Sequence, residues 1–393
     1  MRRPTAWLAV SALALTGAAA AGASTPSKGT AAVSDAHVKR APVSARVAAA
    51  LGPGGELRGM ALNDIGTPAV LDATIADFPR MKLEGITSVT AYIYLHLAST
   101  TSNEVTTGLE TPSDQELTLV TKAAKTVGLD MHFMPVLVDD DRHPRGDYIP
   151  SDPNAFFASY TTMLDHYADL AQANGITLLY VGSENDSITK YETQWRRLVA
   201  SVRKHYAGAL SYMSIGYRGL QVKWWNALDL MSLSTYYSLG DEKTVSYDRV
   251  RSAWMKDHLP YLATIAKQVK VPLVMGEIGY RSETGGYQAP AFDNKNALPS
   301  PQAQATAYAG LLDSLATSPY VYGITWWRWS GVTPAVSADM GYSPEGKPAE
   351  CVLAKHWTTN DVVRQVASLP VCDLTAVDTV TTTLASHVPS LGK

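Results

Sequence analysis

Cysteine is scarce in this chain of 393 residues: there are two, Cys351 and Cys372, both late. No pairing of cysteine with histidine has the spacing of a zinc site. Clustered basic residues are missing too. Lys and Arg total 33 against 36 Asp and Glu, a formal net charge of -3, and no basic stripe is present. That argues against nucleic acid as the main partner, because such binding is built on grouped positive charge. No glycine-rich dinucleotide fingerprint follows a strand-like run, and no serine nucleophile elbow occurs. No cofactor is expected. Phenylalanine is rare, with five residues against twenty tyrosines and nine tryptophans. The aromatic content is therefore mostly amphipathic, which suits a wet, polar ligand such as a sugar. Hydrophobic residues make up 46% of the chain, ample for a large globular core.

The ends of the chain differ from its middle. Met1-Arg-Arg forms a charged start, Ala6 to Ala21 an apolar run, and Ala21-Gly-Ala23 a small-residue cleavage pattern. This predicts a secretory signal over 1–23 and a secreted, extracellular protein that leaves the membrane once the signal is cut. A membrane anchor fits less well, since the run is short, alanine-rich and followed by Ser24-Thr-Pro-Ser-Lys28. Arg2-Arg3 raises a twin-arginine route, but Pro4-Thr5 lack the apolar character expected after such a pair. Residues 24–55, rich in Ala, Ser, Pro and Gly, read as a linker or loosely packed N-terminal arm. Residues 56–357 read as one catalytic domain, and 358–393 as a tail packed on it. In an oxidising compartment Cys351 and Cys372 are expected to form a bridge that ties the tail down. A monomer is expected.

Within the domain, eight apolar, strand-like runs recur: Leu57 to Leu62, Ile86 to Leu95, Met131 to Val138, Ile176 to Val181, Leu210 to Ile215, Leu228 to Ser234, Val271 to Met275 and Tyr320 to Trp326. Helical patterns lie between most of them, including Asp114 to Val127, Asn154 to Asn174, Tyr191 to Tyr206, Tyr247 to Lys270 and Pro301 to Ala316. Capping sequences such as Ser113-Asp-Gln-Glu116 open helices, and Gly128 and Gly175 close them. Strands that alternate with helices are parallel, and eight such units over about 300 residues predict an α/β fold of the (β/α)8 TIM barrel type. The connection from Gly216 to Ala227 is short for a full helix.

Two of the runs end on acids. Leu178-Leu-Tyr-Val-Gly-Ser-Glu184 closes the fourth strand, and Val271-Pro-Leu-Val-Met-Gly-Glu277 the seventh. A barrel gathers all its strand ends at one mouth, so residues far apart in sequence face one pocket there. A single rim glutamate is commonly a salt bridge or a cap. Two opposed carboxylates are what glycoside hydrolysis needs, one to protonate the leaving oxygen and one to attack the anomeric carbon or activate water.

The runs Gly182-Ser-Glu184, Met275-Gly-Glu-Ile-Gly-Tyr-Arg-Ser282, Arg145-Gly-Asp-Tyr-Ile-Pro-Ser-Asp-Pro153 and Gly341-Tyr-Ser-Pro-Glu-Gly-Lys-Pro-Ala349 together resemble glycoside hydrolase family 113, the retaining β-mannanases of the clan A barrels. The resemblance spans about Leu57 to Trp357. It implies Glu184 as acid/base, Glu277 as nucleophile, and double displacement on β-1,4-mannosidic linkages of a mannan-type polysaccharide or oligosaccharide. It also implies that a tyrosine of Ser234-Thr-Tyr-Tyr-Ser238 serves the nucleophile, with Tyr237 the choice over Tyr236. A tryptophan after the eighth strand, Trp326 or Trp327, is the implied sugar floor. Arg145, Asp147 and Tyr148 are expected along the cleft, while Trp224-Trp225 fit the barrel shell. Three positions depart from the pattern. Ser183 stands where many clan members have asparagine, Thr90 to Leu97 lack an arginine, and Pro144 replaces a tryptophan common in the family. Asp139-Asp-Asp141 with His143 reads as a solvated turn, with calcium the rival reading. The competing functions are a barrel hydrolase for another β-glycan and a barrel that binds carbohydrate without cleaving it.

Overall fold

Each of the eight apolar runs forms a strand in the computed structural model, which describes residues 38–241, 245–331 and 339–358. The barrel strands are β1 (Leu57–Leu62), β2 (Ser88–Leu97), β4 (Asp130–Asp139), β5 (Leu178–Ser183), β6 (Ala209–Ile215), β7 (Leu230–Ser234), β8 (Leu273–Ile278) and β9 (Val321–Trp329). All pair in parallel with their neighbours, and β1 closes the ring by pairing with both β2 and β9. A two-residue strand, β3 (Thr106–Thr107), adds to β2 antiparallel. The protein is a (β/α)8 barrel.

Two of these strands stand taller than the rest. β2 and β4 pair from Ser88 opposite Asp130 to Leu97 opposite Asp139. The ladder from β4 to β5 is short, His132 with Leu178 and Phe133 with Leu179. Near 3.3 Å per residue, the upper halves of β2 and β4 project beyond the lip as a wall, which β3 widens.

The helices follow their sequence signals. Ser113 and Glu116 form a reciprocal capping box that opens α3 (Asp114–Thr126). Asp152 accepts from the N–H groups of Asn154 and Ala155 at the start of α4 (Pro153–Asn174), which Gly175 ends in a left-handed turn. α5 (Glu192–His205) follows β5, and α8 (Pro301–Leu315) precedes β9. The predicted single helix from Tyr247 to Lys270 is α6 (Tyr247–Ala253), a π turn (Trp254–His258) and α7 (Leu259–Val269). Pro260 has no N–H to donate back into the preceding turn, and the widened π turn accommodates that gap. The connection from Gly216 to Ala227 holds 3-10 turns only.

Two further helices, each opened by proline, are α2 (Pro68–Leu83) and α9 (Pro348–Trp357). They are clamped together by the buried Glu350, whose two oxygens meet the Arg80 guanidinium while one also accepts Gly346 N–H at 2.8 Å. Cys351 is buried on α9, but the expected bridge to Cys372 lies outside the described residues. The signal segment and the tail beyond 358 lie outside them too.

Side chains sort into two cores by strand alternation. Between strands and helices lies the larger, including the stacked pair Trp195 and Trp224 at 4.5 Å. Inside the barrel are Ala61, Tyr92, Tyr94, Met134, Val136, Tyr180, Met213 and Val274. This inner core continues into Val47, Ala50 and Leu51 of a helix, α1 (Ala45–Leu51), that Ser44 caps. The second half of the expected N-terminal arm is therefore not loose: it plugs the barrel floor. Gly52, at its end, lies against Thr87 and Asp130, where β2 and β4 begin.

A plug of this kind has a measurable weight. Leu51→Ala is expected to cost about 2–5 kcal/mol in urea unfolding, as large-to-small core changes do. Leu119→Ala, on the exposed side of α3, is expected to cost under about 0.5 kcal/mol. Equal effects from the two would remove α1 from the core.

Candidate active site

Glu277 lies inside β8, one residue before its end, and is buried. The strand carries it into the barrel mouth because Gly276 lets the chain run against β7: a Cβ there would lie 2.7 Å from the Ser232 Cβ. An acid so enclosed must have partners. Tyr92 Oη, from β2, donates to Glu277 Oε2 at 2.6 Å, and Tyr236 Oη, just past β7, donates to Oε1 at 2.9 Å. Both oxygens are thereby fixed by neutral donors.

Glu184 follows β5 directly. Its φ of 57° is left-handed, a conformation few non-glycine residues adopt and one that clusters at functional sites. Its N–H bonds Met213 O at 2.7 Å, which holds the turn to β6. Arg145 Nη2 donates to Glu184 Oε2 at 2.6 Å, and Ser234 Oγ to Oε1 at 2.5 Å. Arg145 comes from the short turn after β4 (Arg145–Asp147) and is itself buried.

Two buried carboxylates and one buried guanidinium set the electrostatics. Burial and then the charge of Glu184 push Glu277 up to about 7, against the pull of Arg145, Tyr92 and Tyr236. Arg145 is held well above its ordinary range by the two acids despite its burial. Tyr92 and Tyr236 are pushed upward, by burial first and Glu277 second, so both remain phenols and donors. Asp186 is also raised to about 7, by burial and by Glu184, with Arg218 3.7 Å away. Glu277 thus holds its proton up to near neutrality, and buried acids raised in this way do acid/base chemistry.

Several expected contributors change place. Tyr236, not Tyr237, serves Glu277. Consecutive residues past β7 point opposite ways, so Tyr237 turns outward over Gly216 and packs against Tyr217, Trp254 and His258. Its buried Oη has no hydrogen-bond partner among the described residues. The same alternation divides the tryptophans. Trp326 is buried and stacks on Tyr308 at 3.6 Å in the outer core, whereas Trp327 faces the cleft and meets Tyr92 edge-on at 4.9 Å. Tyr148 does not line the cleft: it is buried behind it, with Oη 3.4 Å from Asp139 Oδ1 and 3.3 Å from His143 O. Asp147 is exposed. Trp224 and Trp225 lie in the shell, as expected. The turn at Asp139 is not wholly solvated, since Asp139 is buried against His143 Nδ1 at 2.6 Å. Among the described residues no group of three or more His, Cys, Asp or Glu side chains is placed to hold a metal.

Tyr92 is the functional residue that the sequence argument misses. It stands on β2, which lacks the arginine of other clan members, and its signal was a tyrosine on the polar, inward side (Ser88, Thr90, Tyr92, Tyr94, His96) of a strand whose other side is wholly apolar. The cleft around Glu277 has a volume of about 590 Å³ and is walled by Asn63, Tyr94, Arg281, Trp327 and Tyr342 among others. Arg281 and Tyr342 come from the two remaining motifs and stack at 5.3 Å. Ser282 N bonds Gly341 O at 3.0 Å, and the buried Lys347 holds Asp339 at 2.7 Å, so the two motifs form one wall.

A (β/α)8 barrel whose mouth buries two glutamates beside a tryptophan face defines a clan of carbohydrate-cleaving enzymes. The family model of Glycoside Hydrolase Family 113 matches residues 71–347, more than half of the chain, and the protein belongs to that family. It is a glycoside hydrolase of the retaining, clan A type. Among solved structures it is similar to the GH113 β-mannanase AaManA from Alicyclobacillus acidocaldarius in complex with ManMIm, at 26% identity and a TM-score of 0.68, over 79% of this chain and 98% of that one. A GH113 β-1,4-mannanase complex matches at 25% identity and 0.68, over 77% and 98%. The endo-1,4-β-mannanase from Rhizomucor miehei, at 10% identity and 0.53 over 79% and 95%, shares the fold. No curated protein matches the chain.

The raised Glu277 predicts a pH-dependent penalty. A carboxyl that holds its proton more tightly folded than unfolded lends stability below the ordinary carboxylate range, and this stability is lost as pH rises through about 7. Glu277→Gln removes the buried charge. Its stability gain over wild type in urea unfolding should be larger at pH 8 than at pH 5 by roughly 2–3 kcal/mol; an identical gain at both pH values would refute the buried-charge account. The tyrosine assignment is tested by kinetics. Tyr236→Phe should lower kcat about tenfold or more, the worth of a hydrogen bond to a charged group, and Tyr237→Phe should leave it within about twofold. The reverse ranking would restore Tyr237.

Proposed function

We propose that the protein is a secreted β-mannanase that cleaves β-1,4-mannosidic linkages in mannan-type polysaccharides by double displacement, with Glu277 as nucleophile and Glu184 as acid/base. The observation that carries the reading is the buried pair itself, Glu277 between two phenols and Glu184 between a guanidinium and a hydroxyl. In the first step a Glu277 oxygen attacks the anomeric carbon, the bond to the leaving oxygen breaks, and Glu184 gives that oxygen its proton. The Tyr92 and Tyr236 donors keep the attacking carboxylate from rotating. In the second step Glu184 takes a proton from water, the water oxygen bonds to the anomeric carbon, and Glu277 leaves as a carboxylate. Trp327 offers a flat apolar face under the reacting sugar, and Arg145 balances the charge that passes between the acids.

Mannan as substrate draws its support from family membership and from the β-mannanases of about one-quarter identity. Export draws its support from the charged, apolar and small-residue pattern of 1–23.

The test measures reducing ends released from mannan, glucan and xylan by enzyme recovered from culture medium, whose mature chain should begin at Ser24. Wild type should prefer mannan and give a product that keeps the anomeric configuration. Glu184→Gln should lose about 10²–10⁴-fold, and Glu277→Gln essentially all activity. Full activity in both variants would overturn the mechanism, an inverted product the double displacement, and cleavage of glucan or xylan alone the substrate.

A further inference from the structure

A third buried acid stands behind the catalytic pair. The chain leaves β5 through Gly182-Ser-Glu-Asn-Asp186, and a tight turn, closed by Asp186 N–H on Glu184 O at 2.9 Å, keeps Asp186 close to Glu184. Asp186 is buried and is not one of the residues that wall the cleft. It lies at the seam between two turns. A Cβ added to Gly146 would sit 3.8 Å from Asp186 Oδ2, and Ser187 Oγ bonds Gly146 O, so the turn that carries Arg145 packs on the one that carries Asp186. The charged and titratable groups that face Asp186 are Glu184 on its own turn, Arg145, Arg218 from the 3-10 turn after β6, and the buried phenol of Tyr212 on β6. Arg218 is 3.7 Å from Oδ2 and partly exposed. Among the described residues Oδ2 has no hydrogen-bond partner. A buried carboxylate so poorly compensated costs stability, and proteins carry such costs at functional sites.

The catalytic pair leaves a task for it. The first step needs a proton on Glu184. The Arg145 guanidinium at 2.6 Å favours that acid ionised, while Glu277 holds its own proton up to about 7. A further negative charge near Glu184 opposes Arg145 and draws the proton toward Glu184. We propose that Asp186 is a positioning residue for the reaction: from behind the cleft, its carboxylate keeps the catalytic proton on Glu184 against the pull of Arg145. This role rests on Glu184 as acid/base. Asp186 is itself pushed up to about 7, by burial and then by Glu184, so it is neutral in acid and exerts its effect only as pH rises past neutrality. It thereby extends the first step to higher pH.

The experiment compares wild type with Asp186→Asn and Asp186→Ala on two substrates built from the sugar that wild type cleaves. One is a β-1,4-linked oligosaccharide, whose leaving oxygen needs a proton. The other is a dinitrophenyl β-glycoside, whose leaving group departs without one. In both variants the ratio of kcat/KM at about pH 8 to that at about pH 5 should fall about fivefold to tenfold on the oligosaccharide and stay within about twofold of wild type on the aryl glycoside. Asp186→Asn keeps the shape and removes the buried charge, so at about pH 8 it should unfold at no lower urea concentration than wild type. A residue that only braced the turn would lose stability and slow both substrates alike at every pH. That result, or an unchanged ratio in both variants, would overturn the role of Asp186 and leave Glu184 as acid/base. Full activity of Glu184→Gln on the oligosaccharide would overturn that assignment and this role together.

Discussion

The buried guanidinium of Arg145 is the interaction on which the site depends. Two buried carboxylates repel each other and each loses part of its hydration, so a fixed cation is needed for either to stay ionised. Arg145 cannot deprotonate, and its contact with Glu184 at 2.6 Å places one unit of positive charge where two negative ones converge. It is supplied by a turn after β4, and that turn is held from behind. Ser187 Oγ bonds Gly146 O, and Tyr148 is buried against Asp139 and His143. Tyr148 thus matters to the site without touching the cleft, because it sets where the arginine stands.

How much of this could be read from the sequence follows from which physical signals are local. The barrel was legible because eight apolar runs, helix caps and turn glycines each leave their mark within a few residues. The two glutamates were legible because an acid at the end of a buried strand is costly and therefore conspicuous. Tyr236 against Tyr237, and Trp327 against Trp326, were not. In both pairs one neighbour faces the cleft and the other the outer core, and the choice depends on the register of β7 and β9 against their partners, which includes irregularities at Leu233/Ser234 and between Met275 and Ile278. A shift of one residue exchanges the faces, and composition cannot detect it. The α1 plug was hidden for another reason: an alanine-rich stretch reads alike as helix or linker until the barrel floor that covers it is known.

The departures from the clan pattern also find a physical account. β2 lacks an arginine, yet its inward position beside Glu277 is filled by Tyr92, which donates to that carboxylate without adding charge. Among the described residues, the cation in contact with the pair is Arg145, on the Glu184 side. The site is consequently asymmetric: Glu277 has neutral donors and is pushed up to about 7, while Glu184 has the guanidinium.

This asymmetry bears on how one proton serves two steps. On the proposed assignment Glu277 attacks as a carboxylate while Glu184 supplies the proton, and a glycosidic oxygen that accepts from Glu184 favours that arrangement. On the proposed pathway Glu277 next becomes a neutral ester. Its charge disappears, and with it the repulsion between the two acids. Arg145, still 2.6 Å away in a cavity of low dielectric, then favours the ionised Glu184, which is the form that must take a proton from water. On the proposed assignment, a cation beside Glu184 with neutral donors on Glu277 therefore favours the second step most, after the charge of Glu277 has been consumed.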